Sequence, residues 1–132
     1  MQPKVLSVKR VEYADAPYFG TNQSGRVPLG DRVLIRPDIA LTKTQGGIEL
    51  PDDIKDRMQL SSSSGVVVEL GDGAFRWNFD GTRPWEGYRP QPGDHVDFER
   101  YAGKVVMGDD GNEYRVVDYK SIGCVRKKEI KE

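Results

Sequence analysis

Apolar residues in this 132-residue chain recur at every second position, in short runs that end at Gly, Pro, Asn or Asp. That spacing lines up the apolar side chains of an extended segment on one face, the pattern of a half-buried strand. In DRVLIRP, Val33 and Ile35 point one way and Arg32, Leu34 and Arg36 the other, and the run stops at Pro37. GVVVELGDG, with three consecutive valines, reads as a buried strand leaving by a glycine turn. Alternation resumes in DHVDFER, where Val96 and Phe98 oppose His95, Asp97 and Glu99, then in GKVVMG and EYRVVDY, with DDGN at 109–112 as the hairpin turn between them. SIGCVRK is a final strand, and the tail at 128–132 is charged and solvated. Four to six short strands with turn-sized gaps predict an all-β barrel or sandwich in one domain. Hydrophobic content of 36%, with 15 Gly and 8 Pro, makes its core thin, so subunit contacts are expected to complete the burial.

Several function classes fall away. The 20 Lys and Arg against 21 Asp and Glu leave a formal net charge of -1, which argues against a surface built to grip phosphate backbones. One cysteine, Cys124, excludes an internal disulfide and a multi-cysteine zinc site, and reads as a small buried hydrophobe in the last strand. No apolar run approaches the roughly 20 residues of a membrane helix. The start of the chain has no leader pattern, so the cytoplasm is expected. His95 stands beside Asp94 and Asp97, but it falls on the polar side of its strand with no nucleophile near it. Gly71-Asp72-Gly73 lacks the third glycine of a dinucleotide fingerprint, and DDGN lacks the ligand order of a calcium loop. No catalytic residue, metal ligand or cofactor is therefore assigned.

Three segments stand outside the alternation. Residues 1–26 carry a strand candidate from Lys4 to Tyr13 and then the turn-rich PYFGTNQSG, and read as an appendage; the sequon at Asn22 is a chance match. Residues 38–64 form a long polar stretch with one apolar island, Gly46-Gly47-Ile48-Glu49-Leu50. Loops of that length are uncommon and tend to be functional or disordered. If extended, the island presents Ile48 and Leu50 on one face and Glu49 on the other; the alternative is that DDIKDRMQL forms a helical turn and Ile48 packs inward. Residues 71–93 hold Phe75, Trp77, Phe79, Trp85 and Tyr88 among arginines and glycines. Those rings could stack on single-stranded nucleic acid, but the interleaved Asp80 and Glu86 favour a hairpin whose rings pack on each other or on a neighbouring subunit.

In order and spacing, VPLGDRVLIRP, GGIEL, GVVVELGDG, and GDHVDFERYAGKVV through EYRVVDYKSIGCV resemble the GroES family of co-chaperonins, over residues 26–126. The resemblance implies a small irregular β-barrel at 27–127, with a mobile loop at 38–64 and a roof segment at 71–93. It implies a ring, heptameric in the family, in which the first strand of one subunit meets the last of the next, here Val33, Leu34 and Ile35 against Ile122, Cys124 and Val125. It also implies a GroEL-type chaperonin as partner in the presence of nucleotide, bound through Gly46, Gly47, Ile48, Glu49 and Leu50, and an unfolded client protein inside the closed chamber. Glu49 stands where the family usually has an aliphatic residue, and the roof is longer and more aromatic than usual, so its rings line the chamber ceiling or form a plug. An intact core with a remodelled periphery is a pattern of virus-encoded relatives, which would act in the host cytoplasm. The competing reading is a structural or adaptor β protein of a virion or other assembly. It leaves the GGI-x-L island unexplained.

Overall fold

A computed structural model describes residues 13–40 and 62–127. The described chain is all β. Its main sheet holds six strands in the order β6-β7-β2-β4-β5-β8, where β2 is Arg32–Pro37, β4 Ser64–Leu70, β5 His95–Phe98, β6 Lys104–Met107, β7 Glu113–Asp118 and β8 Ile122–Val125. A two-residue pair, β1 (Tyr13–Ala14) with β3 (Ile39–Ala40), stands beside it. Every pairing is antiparallel.

The expected alternation is seen at β2, where Val33 and Ile35 enter the main core and Leu34 joins Val68 and Tyr114 in a smaller cluster on the opposite face. Register breaks in β2–β4 at Leu34/Ile35 and in β5–β8 at Asp97/Phe98 bend the sheet toward a small barrel, since an unpaired extra residue sharpens local twist. Val66, Val67 and Val68 are all buried, Val67 in the main core and Val68 in the smaller cluster. The main core joins Val33, Ile35, Val67, Val96, Phe98, Val117 and Ile122, with Phe75 and Tyr119 closing one end.

The turn at Gly108–Asn112 is as expected: Gly111 takes a φ of 81° and Asp110 accepts from the Asn112 backbone N–H at 3.1 Å. Asp110 also accepts from the Tyr114 hydroxyl at 2.5 Å. Burial, then that carboxylate, pushes the Tyr114 pKa up to about 12, while the hydroxyl holds Asp110 below its ordinary value. A raised phenol pKa means that Tyr114 contributes its full stabilisation below the ordinary value of 10.0 and loses it as pH rises toward 12. An ultraviolet phenolate titration should therefore show a late step that Tyr114→Phe removes, leaving the raised step of buried Tyr119 in place. An unchanged late titration would assign it elsewhere.

Residues 13–26, the described part of the appendage, pack onto the barrel. Ser24 is fully buried, its carbonyl accepts from the Asp109 N–H at 2.8 Å, and Arg26 pairs with Asp109 at 3.6 Å. The Asn22 amide donates to the Arg26 carbonyl at 2.6 Å and to Glu69 at 3.2 Å. Of the strand candidate at Lys4–Tyr13, only Tyr13 lies within the described residues, and it is in β1.

Candidate functional site

Three regions bear the sequence-predicted sites. The island Gly46, Gly47, Ile48, Glu49 and Leu50, with the helical turn proposed after Pro51, lies outside the described residues. What the structure describes is the two feet from which that stretch departs. Residues 38–40 and 62–64, expected from the sequence to belong to the loop, are built into the fold instead. At the first foot the Asp38 backbone N–H donates to the Ser64 carbonyl at 2.9 Å, and β3 pairs with β1. At the second, Ser62 is 1% exposed and its carbonyl accepts from Arg115 Nη1 at 3.1 Å. Arg115 is itself buried, its guanidinium 5.4 Å above the Phe98 ring, and burial lowers its pKa. A buried cation satisfied by a carbonyl and a ring face is costly to disturb. Alternation hid it, because Arg115 reads as one more polar residue of EYRVVDY.

His95 departs from its expected place. It is 3% exposed, and its Nε2 lies 2.7 Å from Asp38 Oδ1, in turn buried. Asp15 Oδ1 stands 3.8 Å from the same nitrogen, and Arg126 Nη1 donates to Asp15 Oδ2 at 2.9 Å. The donor atoms of Asp15, Asp38 and His95 lie within 4.8 Å of one another, close enough to share a cation. Arg126 already supplies a positive charge to Asp15, so the arrangement is a network of one ion pair and hydrogen bonds that joins segments far apart in sequence.

The predicted ring residues divide. Val33, Leu34 and Ile35 are 0% exposed in a strand hydrogen-bonded on both sides, by β4 and β7, so they have no surface left for a second subunit. The exposed apolar residues of that segment are Val27 and Leu29, at 68% and 71%. Sequence reasoning passed them over because they precede the alternating run. Ile122 is buried, Val125 half-buried and Cys124 exposed, the last a correction to its expected burial. Among the described residues, β8 pairs only with β5, at the end of the sheet. An apolar cleft of about 480 Å³ opens beside it, walled by Phe79, Trp85, Phe98, Ile122 and Val125.

The roof rings are also sorted. Phe75 does not face a chamber: it is 2% exposed and packs edge-on against Trp85 and Tyr119, with centroids 5.0 and 5.1 Å away. Trp85 Nε1 donates to the Tyr88 carbonyl at 3.1 Å, and Tyr88 donates to Asp94 at 2.5 Å. Tyr119 donates to the Trp77 carbonyl at 2.9 Å, fixing the hairpin in which Asn78 N–H bonds the Arg83 carbonyl at 2.7 Å and Trp85 N–H the Arg76 carbonyl at 2.9 Å. Trp77 and Phe79 remain half exposed. Rings that pack on one another do not form a row of open faces for bases.

The family described as Chaperonin 10 Kd subunit matches residues 26–126, from the segment that carries Val27 and Leu29 to the end of β8. The chain belongs to the chaperonin 10 family. Among its relatives is the co-chaperonin GroES of Coprothermobacter proteolyticus, 43% identical over 99 residues that cover 74% of this chain and 91% of the relative. That of Petrotoga mobilis is 36% identical over 95 residues, 72% and 89% of the two chains, and that of Treponema denticola 38% identical over 82 residues, 62% and 76%. The all-β architecture is that of a GroES-like small barrel, and membership gives the chain a co-chaperonin role in a family of non-enzymatic chaperones. The His95 network straddles the start of the family region: Asp15 lies before it, whereas Asp38, His95 and the aromatic hairpin lie inside it.

Proposed function

We propose that this protein forms a ring of identical subunits, heptameric as in the family, which caps a GroEL-type chaperonin in the presence of nucleotide and closes a chamber around an unfolded client. The match of residues 26–126 to the chaperonin 10 family, with GGIEL at the centre of the long polar segment, carries this reading. Ile48 and Leu50 are the anchors that enter an apolar groove of the chaperonin. Glu49 between them tunes which chaperonin is accepted, and Gly46 and Gly47 supply the backbone freedom of the turn beside them.

Within the ring, the open edge of β8 takes the exposed segment around Val27 and Leu29 of the next subunit, whose side chains reach the cleft beside Val125. Such a head-to-tail contact covers the β8 edge of every subunit once the ring closes. Trp77 and Phe79 then face the chamber or a neighbouring subunit, and the site of action is the cytoplasm. Among the described residues no helix is long and apolar enough to cross a membrane.

Size-exclusion chromatography with a GroEL-type chaperonin tests the reading. The protein is expected at the double-ring position only when nucleotide is present, and alone at the size of a ring. Failure to co-elute by a protein that runs as a monomer would reject it.

A further inference from the structure

The network around His95 joins the segment before the family region to the first foot of the chaperonin-binding loop. A two-residue pairing such as β1–β3, Tyr13 with Ala40 and Ala14 with Ile39, is marginal by itself. Side chains reinforce it from three directions. Asp38, the residue before β3, accepts from the Ala16 backbone N–H at 2.9 Å through the same oxygen that meets His95 Nε2. Asp15, directly after β1, is held by Arg126 at the end of β8 and faces His95 on β5. Arg36, at the end of β2, donates to the Pro17 carbonyl at 3.3 Å. Asp38 and His95 are at least nine-tenths buried, so their bond is shielded from water, whereas the Asp15–Arg126 half is open to solvent.

We propose that residues 13–17 are a clasp that fixes the point at which the chain leaves the barrel at Ala40, and thereby sets the affinity of the loop that follows for its chaperonin. The second half of this rests on the reading under Proposed function. The physical reason is entropic: every backbone residue that must be ordered on binding opposes it. Holding residues 38–40 in place beforehand shortens the chain to be ordered and aims it. Deleting the clasp releases residues 38–40, which must then be ordered again on binding, while the second foot, held by Arg115, stays fixed.

Two variants test it in the intact ring. Removal of residues 1–17 takes away the whole strand, and Asp15→Asn removes only the exposed charge that pairs with Arg126 and faces His95. Amide hydrogen exchange on the free protein should be at least tenfold faster at 39–40 in the truncated chain and intermediate in Asp15→Asn, with β4 and β7 unchanged. Native exchange at 39–40 in both would overturn the clasp. The dissociation constant for a nucleotide-loaded chaperonin should rise several-fold in the same order. Fast exchange with native affinity would overturn the coupling. Failure of the native protein to bind any chaperonin would sink the lid reading, while the exchange rates still judge the clasp.

Discussion

Alanine at both Ile48 and Leu50 is expected to abolish capture by a nucleotide-loaded chaperonin while the ring stays assembled. Full burial of an aliphatic side chain is worth roughly 1.5–3 kcal/mol, and truncation to alanine removes most of it. Two anchors lost from one loop therefore amount to about 3–4 kcal/mol, or a factor of roughly 10²–10³ in that loop's affinity. A single docking loop is expected to bind weakly, because each backbone residue ordered on binding costs about 1–2 kcal/mol. A ring holds its partner only because the first loop bound makes the next contacts intramolecular. The loss per loop is thus multiplied across the ring, and binding measured by co-elution or surface capture falls below detection. The native fold is spared because its core is closed around Val33, Ile35, Val67 and Val96 by other segments. The companion substitution Glu49→Val has the opposite sign: it restores the family's apolar middle position and should tighten binding to a standard bacterial chaperonin. Equal affinity after both alanine changes would remove Ile48 and Leu50 from the interface.

Gly103→Ala is expected to cause a large loss of stability for the addition of a single methyl group. Gly103 precedes β6 with a φ of 72°, where an L side chain costs about 1–2 kcal/mol. A Cβ there would also lie 2.0 Å from the Val116 carbonyl oxygen, and Val116 is paired with Lys104. Backbone, unlike the end of a long side chain, cannot step aside, so β6 must lift from β7. The two effects together should cost about 3 kcal/mol or more, at the upper end of single substitutions. Urea denaturation would show the midpoint shift, and faster exchange confined first to β6 would show its cause. A midpoint within error of the native protein would mean that the turn into β6 relaxes freely.

Much of the fold is legible in the order of residues. The alternation at Val33 and Ile35, the valine run, the DDGN hairpin and the closing strands are local signals, since a period of two needs only neighbouring residues to declare itself. The order of four motifs is enough to identify the family. The proposal that GGIEL docks on a chaperonin also comes from sequence, because a docking segment must carry its anchors in sequence.

What failed did so where the answer depended on residues far apart. His95 follows Asp94 and looks solvated, yet it is buried because Asp38, 57 residues away, meets its ring. Phe75 belongs to the core rather than to a ceiling because Tyr119 and Trp85 close over it. Val33, Leu34 and Ile35 proved unavailable to a neighbour because β2 lies between β4 and β7, a fact of sheet order. Sequence by itself therefore determined the strand pattern, the family and the place of the GGIEL island in a long polar segment. Tertiary structure alone decided which apolar residues are left outside, which charges are buried, and how the segment before the family region is tied to that loop's foot, because burial and ion pairing are set by contacts that the order of residues along the chain does not display.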